Sequence, residues 1–318
     1  MDKIDQRTSI LKIFSLNIRE ILQKALTIDF NYLQEIRLRI NAPLMIIYKN
    51  REIFITNQGD FSYTCKNAFI VNKKEIKETI EYISNYSLYA FEEDIKQGFI
   101  TIEGGHRIGL AGKVIVEQGR VKNIKHISFI NIRISHEIKG CANGVIHNII
   151  DEDNLYHTMI ISPPRCGKTT LLRDIIRQVS NGEHTLTPKT IGVVDERSEI
   201  GACYNGIPQN DLGIRTDVLD CCPKVEGMLM LIRSMSPQVI AVDELGSDVD
   251  IKAIEYVINS GCKLICTVHG QSIDDVKQKP LLDKLVANKI FERYIILSNK
   301  KTIGEITDIY NQKLEKIQ

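Results

Sequence analysis

Apolar positions along this chain follow one rhythm up to about residue 140 and another beyond it. The first thirty residues read as helical, with Phe14, Ile18, Ile21, Leu22 and Ala25 on one face, a pattern that predicts packing on protein rather than on lipid. Residues 33–40 alternate apolar and polar, the mark of a half-buried strand. Asn41-Ala42-Pro43 breaks that strand; residues 44–48 predict a second and 52–56 a third. Asn72 stands as an N-cap with Glu75 three residues on, a capping box, before a helix whose Ile76, Ile80 and Ile83 share a face. Residues 94–116 return to strands broken at Glu103-Gly104-Gly105-His106, residues 117–120 make a turn, and 129–134 form another strand. The turn-rich Gly140-Cys141-Ala142-Asn143-Gly144 then ends an α+β domain placed at residues 1–142.

In the second domain, 143–318, strands and helices alternate, which predicts a mostly parallel sheet with crossover helices. Met159-Ile160-Ile161 reads as a strand, and Leu171, Leu172, Ile175, Ile176 and Val179 as the buried stripe of a helix. Further strands are expected at 190–194, 239–242, 263–268 and, as the last one, 293–298. Helices are expected around Met228–Met235, at 248–260 and within 272–288, with turns at 181–188 and a polar loop over 198–216.

Between the first strand and helix of this domain runs Ser162-Pro163-Pro164-Arg165-Cys166-Gly167-Lys168-Thr169-Thr170. A strand, a loop ending Gly-Lys-Thr and a helix form the setting of a phosphate-binding P-loop. Backbone N–H groups at a helix start, with the helix dipole behind them, favour a polyanion. Gly167 lets the backbone approach it, Lys168 reaches the β- and γ-phosphates, and Thr169 offers its hydroxyl to Mg²⁺. The motif usually opens with Gly, and Ser162 holds that place.

In open parallel sheets ligands sit at the carboxyl ends of the strands. Three further strand ends here are polar: Asp195-Glu196, Asp243-Glu244 and Thr267 with His269. Asp243 suits Mg²⁺, and Glu244 suits orienting or deprotonating an attacking water. Asp195 is a further candidate for the metal, Glu196 for catalysis, and His269 for sensing the γ-phosphate. Any of Arg107, Arg133, Arg197, Arg215 and Arg233 could act across a subunit boundary. Arg173 and Arg177, four apart, read as a solvated helix face.

Composition narrows these readings. The 41 basic and 40 acidic residues nearly balance; with no basic tract or aromatic interleaving, nucleic acid is not an expected partner. No apolar run is long enough to span a bilayer, so direct membrane insertion is not expected. Eight cysteines without a C-x-x-C pair read as reduced cytosolic thiols, and the seven histidines show no metal-ligand spacing.

The ordered motifs resemble the type II and type IV secretion traffic ATPases: the P-loop, an acidic box at Val194-Asp195-Glu196-Arg197, a Walker B run from Arg233 to Glu244, and a histidine box from Gly261 to Gly270. A closer resemblance is to the stage III sporulation protein AA family. It is carried by residues 90–112, by Arg215-Thr216-Asp217-Val218-Leu219-Asp220 and by Ile232-Arg233-Ser234-Met235-Ser236-Pro237. The resemblance implies a RecA-like P-loop domain behind a smaller α+β domain. It also implies ATP and Mg²⁺, a ring homo-oligomer, by family a hexamer, and a cytoplasmic place held at the membrane, on the mother-cell side, by membrane proteins of the mother cell–forespore channel. Two other readings stay open. One is a non-catalytic nucleotide-gated scaffold, motivated by Ser162; the other is a nucleic-acid motor.

Overall fold

The computed structural model describes residues 3–86, 95, 98–183, 187–299 and 302–318. Residues 90–94 and 96–97 of the family stretch, among them the expected strand start at Asp94, lie outside the described residues, as do 184–186 of the expected turn. Two compact units divide the chain, Met1–His136 and Glu137–Gln318.

The first unit opens with two helices, α1 (Lys3–Lys12) and α2 (Leu16–Ala25), where the sequence predicts one continuous helical stretch. The stripe on α2 holds, with Ile18, Ile21, Leu22 and Ala25 buried. The strands that follow are β1 (Leu33–Arg39), β2 (Ala42–Pro43), β3 (Met45–Tyr48), β4 (Arg51–Ile55), β5 (Phe61–Ser62) and β6 (Ile70–Val71). Helix α3 (Lys73–Ile83) has the expected capping box: the Asn72 side chain accepts from the Lys74 and Glu75 amides, and Glu75 accepts from the Asn72 amide at 2.7 Å. Strands β7 (Phe99–Ile102), β8 (His106–Glu117) and β9 (Arg120–Arg133) complete a seven-stranded antiparallel sheet in the order β5-β4-β3-β1-β9-β8-β7. One face of it buries Ile36, Leu38, Ile108, Leu110, Ile130 and Ile132 in a single core that also takes in the α2 and α3 stripes. The strand expected at 129–134 is the end of a longer one, because β9 continues past its pairing with β1 as a ribbon paired, among the described residues, with β8.

After a small hairpin, β10 (Ile150–Asp151) and β11 (Asn154–Leu155), the second unit is built on β12 (Thr158–Ser162) and α4 (Lys168–Asn181). Then come β13 (Ile191–Asp195), β14 (Thr216–Asp220), α5 (Lys224–Ser234), β15 (Val239–Val242), α6 (Asp248–Asn259) and β16 (Lys263–His269). Short helices α7 (Ile273–Lys277) and α8 (Pro280–Ala287) lead to β17 (Arg293–Ser298) and β18 (Glu305–Asn311). The sheet order is β14-β13-β15-β16-β12-β17-β18, parallel throughout except for the β17–β18 edge.

Successive residues of the inner strands feed two different cores, which is why those strands read as continuous apolar runs. Met159, Ile161, Ile240 and Val242 pack with α5 to α8, whereas Ile160, Val239 and Ala241 pack with the Leu171, Leu172, Ile175 and Ile176 stripe of α4. This is the α/β architecture the alternation predicts. Within this seven-stranded sheet, two strands go beyond the expectation. Edge strand β14 follows the polar loop, and β18 pairs with β17 after the position expected to end the sheet.

Candidate functional site

The site grows from the end of β12. Ser162 is fully buried in extended strand backbone, in register with His269, and its carbonyl accepts from the Gly270 amide at 3.1 Å. Its φ is not positive, so the position normally held by Gly makes no left-handed demand here. The left-handed residues come later, Arg165 (φ 62°) and Gly167 (φ 83°). Gly167 is the N-cap of α4 and brings no side chain to the amides of the first turn, which leaves them to a ligand. A Cβ on Gly167 would lie 3.4 Å from the Gly304 Cα, so the β17–β18 turn flanks the loop. Nothing in the sequence signals that contact.

Lys168 and Thr169, the first residues of α4, meet the two carboxylates that follow β15. Lys168 Nζ donates to Glu244 Oε1 at 2.5 Å and lies 3.7 Å from Asp243 Oδ1. Thr169 Oγ1 donates to Asp243 Oδ2 at 2.6 Å. Thr267, near the end of β16, binds the same turn twice: its hydroxyl donates to Asp243 Oδ1 and accepts from the Glu244 amide at 2.9 Å. Glu244 itself sits at φ 56°, an uncommon backbone for a non-glycine residue that persists where neighbours over-determine it. His269 Nε2 lies 3.1 Å from Glu244 Oε1, and Arg197 Nη1 lies 3.0 Å from Glu244 Oε2. Partial burial works to raise the Glu244 pKa. The opposing charges of Lys168, His269 and Arg197 outweigh it, and the carboxyl is held below its ordinary range.

The structure therefore gathers Lys168, Thr169, Asp243, Glu244 and His269 at one place. The acidic pair after β13 is placed differently. Asp195 is buried, and its oxygens accept from the amides of Glu199, Ile200 and Gly201 at 2.8, 2.9 and 2.8 Å. That carboxylate organises its own loop. Burial pushes its pKa up to about 6 against those three amides. Glu196 pairs with Lys224 and shares with Glu244 a cleft of about 150 Å³. Arg197, one of five arginines open to a role across subunits, has its partner Glu244 in its own chain; its place in the run Val194-Asp195-Glu196-Arg197 was the one signal available. Arg173 and Arg177 are not a solvated pair. Arg177 is buried against Asp174 at 2.8 Å and against Glu183, and Arg173 has its Nε out of solvent; the neighbouring Asp174 and Gln178 bond the chain at 142–143.

Mg²⁺ at nucleotide sites uses one or two carboxylates, with water and substrate oxygens completing six ligands. Thr169 and Asp243, one hydroxyl and one carboxylate with oxygens 2.6 Å apart, fit that donor set.

The model of the family described as sporulation stage III, protein AA matches residues 4–317. Stage III sporulation protein AA of Bacillus subtilis (strain 168) is 41% identical over 280 residues, covering 88% of this chain and 87% of that protein. Among solved structures, the ATPase DotB of Legionella pneumophila matches with a TM-score of 0.56 at 15% identity, over 87% of this chain and 74% of its own. The pilus retraction motor PilT with bound ADP matches with a TM-score of 0.55 at 14% identity, over 88% and 78%. At such identities the two structures show a shared fold.

Proposed function

The chain belongs to the stage III sporulation protein AA family, and we propose that it is a Mg²⁺-dependent ATPase whose work serves the mother cell–forespore channel of endospore formation. One observation carries this reading. The first two residues of the P-loop helix face the two carboxylates of the β15 end, Lys168 to Glu244 and Thr169 to Asp243. The fold shared with DotB and PilT supports it.

In this reading the loop from Arg165 to Thr170 cradles the phosphates, with Ser162, Pro163 and Pro164 fixing its entry. Lys168, held at Glu244, is the cation that turns to the β- and γ-phosphates of ATP. Thr169 and Asp243 would hold Mg²⁺, which would supply positive charge against the developing charge of the phosphates. Once Lys168 leaves it, Glu244 orients water for attack on the γ-phosphate and takes its proton. Thr267 keeps the Asp243-Glu244 turn in place, and His269 senses the γ-phosphate beside Glu244. Glu196 stands with Lys224 at the mouth of the cleft. Asp195 shapes the loop that carries Arg197.

The assembly is a ring of identical subunits, a hexamer by resemblance. It is cytoplasmic, docked on membrane proteins of the channel complex. Among the described residues no helix is long and apolar enough to cross a membrane. Steady-state phosphate release, measured on the parent and on Glu244→Gln across protein concentration, tests the reading. It predicts Mg²⁺-dependent turnover that needs Glu244 and rises per subunit with concentration. Tight ATP binding without turnover in the parent would replace it with the scaffold reading.

A further inference from the structure

Helix α4 carries the P-loop at one end, yet its most heavily bonded side chains lie further along. Asp174, with a side chain 1% exposed, accepts from the Ala142 amide at 2.8 Å, from Arg177 Nε and Nη2 at 3.0 and 2.8 Å, and from Gln178 Nε2 at 2.9 Å. Gln178 Nε2 also donates to Asn143 Oδ1 at 2.9 Å. One turn nearer the loop, Cys141 Sγ lies 3.6 Å from the Thr170 carbonyl. Three of these contacts, from Asp174 to Ala142, from Gln178 to Asn143 and from Cys141 to Thr170, join α4 to the chain at 141–143, just inside the second unit, which begins at Glu137. Nearer its start the segment is also tied to the 211–213 loop, where Lys139 Nζ meets Asp211 Oδ2 at 2.5 Å and Glu137 Oε1 accepts from the Asp211 amide at 2.7 Å.

Leucines could have stuck this segment to the helix. Burying a carboxylate and a guanidinium instead is expensive, and its best attested use is to fix one register out of several. The bonds to Ala142 and Asn143 are directional, so they specify where the segment sits along α4. Asp174 is six residues past Lys168, roughly 9 Å along a rigid helix. A shift of α4 at its phosphate-binding end therefore arrives at Asp174 little diminished.

We propose that the polar underside of α4, centred on Asp174, couples nucleotide occupancy to the segment 137–143 that opens the second unit. The proposal rests on the reading of the P-loop as an ATP site. In the resting state Asp174 clamps the segment through Ala142, and Gln178 sets its register through Asn143. When phosphates draw in the N-terminus of α4, the segment moves with the helix. Asp174 is a positioning residue and touches no substrate.

Hydrogen–deuterium exchange on the full chain tests this, with and without a non-hydrolysable ATP analogue and Mg²⁺. Two peptides are read together. Residues 163–172 report nucleotide binding, and residues 137–146 report the coupling. In the parent both should respond, with exchange in 137–146 changing by about tenfold. In Asp174→Asn, the 163–172 peptide should be protected as in the parent, while 137–146 should change by less than about twofold. Should Asp174→Asn not fold, Gln178→Ala, which removes the bonds to Asn143 and Asp174, is expected to reduce the 137–146 response by about threefold or more. A protected 163–172 with an unresponsive 137–146 in the parent overturns the coupling and leaves the ATP site standing. A full response in Asp174→Asn also overturns it. An unprotected 163–172 in the parent overturns the nucleotide reading, and this inference with it.

Discussion

Replacing Ser162 by Gly restores the usual first residue of a P-loop, and the structure says what this change should do. Ser162 is in strand backbone, bonded to Gly270 and in register with His269, with no positive φ to relieve. Glycine there gains nothing and loosens the unfolded chain more than the folded one, a penalty of about 0.5–1 kcal/mol. The Ser162 hydroxyl also donates to the Pro163 carbonyl at 2.7 Å, a bond with a net contribution of about 0.5–1.5 kcal/mol. Together the loss is roughly 1–2.5 kcal/mol, which for a unit of this size lowers Tm by about 2–10 °C. Turnover should stay within about twofold of the parent, because Lys168, Thr169 and Glu244 are untouched. Scanning calorimetry and phosphate release on the same preparations check both halves. A rise in turnover of about tenfold or more, a barrier drop near 1.4 kcal/mol, would refute the reasoning and show that Ser162 restrains the loop.

Three other outcomes follow from the same geometry. Glu244→Gln should keep ATP binding and lower turnover by about 10²–10⁴, the usual contribution of a general base, whereas Lys168→Ala should lose binding and turnover together; two variants that hydrolyse ATP like the parent would show the site is assigned to the wrong residues. The Arg197 side chain is 65% exposed, so its pair with Glu244 contributes less than about 1 kcal/mol, and a calorimetric drop of more than about 4 °C in Arg197→Ala would contradict that. Asp195 is pushed to about 6 by burial, against about 3.9 in an unfolded chain. Between those values the folded state holds more protons, so stability falls as pH rises from about 4 to 6, by roughly 3 kcal/mol at most, and is flat above. Asp195→Asn should abolish that slope in denaturant titrations across the window, and a slope that survives the substitution belongs to another group.

Much of the fold could be read from periodicity because burial and spacing agree. The α4 stripe, the doubly buried β12 and β15, and the Asn72 capping box each have a local cause in the sequence. Where local cause was missing, the reading fell short. β14 and β18 are edge strands, mostly half-buried and interrupted by polar pairs such as Thr216-Asp217 and Thr307-Asp308, so no continuous apolar run announces them. Arg173 and Arg177 have helical spacing suited to a solvated face, and spacing alone does not show the acidic partners, Asp174 and Glu183, against which Arg177 is buried. The break between α1 and α2 lies within a stretch with no Gly or Pro to mark it.

The site was legible as a set of strand ends but not as a geometry, because sheet order and chain order differ. In sequence, the acidic pair at Asp195-Glu196 comes before the one at Asp243-Glu244, and each follows an apolar run. Nothing in that pattern ranks them. In the sheet, β16 lies beside β12, β15 comes next, and β13 is one strand further out. Thr267 and His269 therefore stand close to the P-loop, and Asp243 and Glu244 are within reach of the first turn of α4. From the end of β13 the longer Arg197 spans the gap to Glu244. Asp195, too short to follow, is left with amides of its own loop to bind, and Glu196 with Lys224. Two dipeptides with the same chemistry thus acquire different work from their distance to one lysine. The ranking predicts that Asp195→Asn and Glu196→Gln lower turnover by less than about tenfold, well short of the loss in Glu244→Gln. Equal losses measured side by side would mean that β13 reaches the phosphates after all.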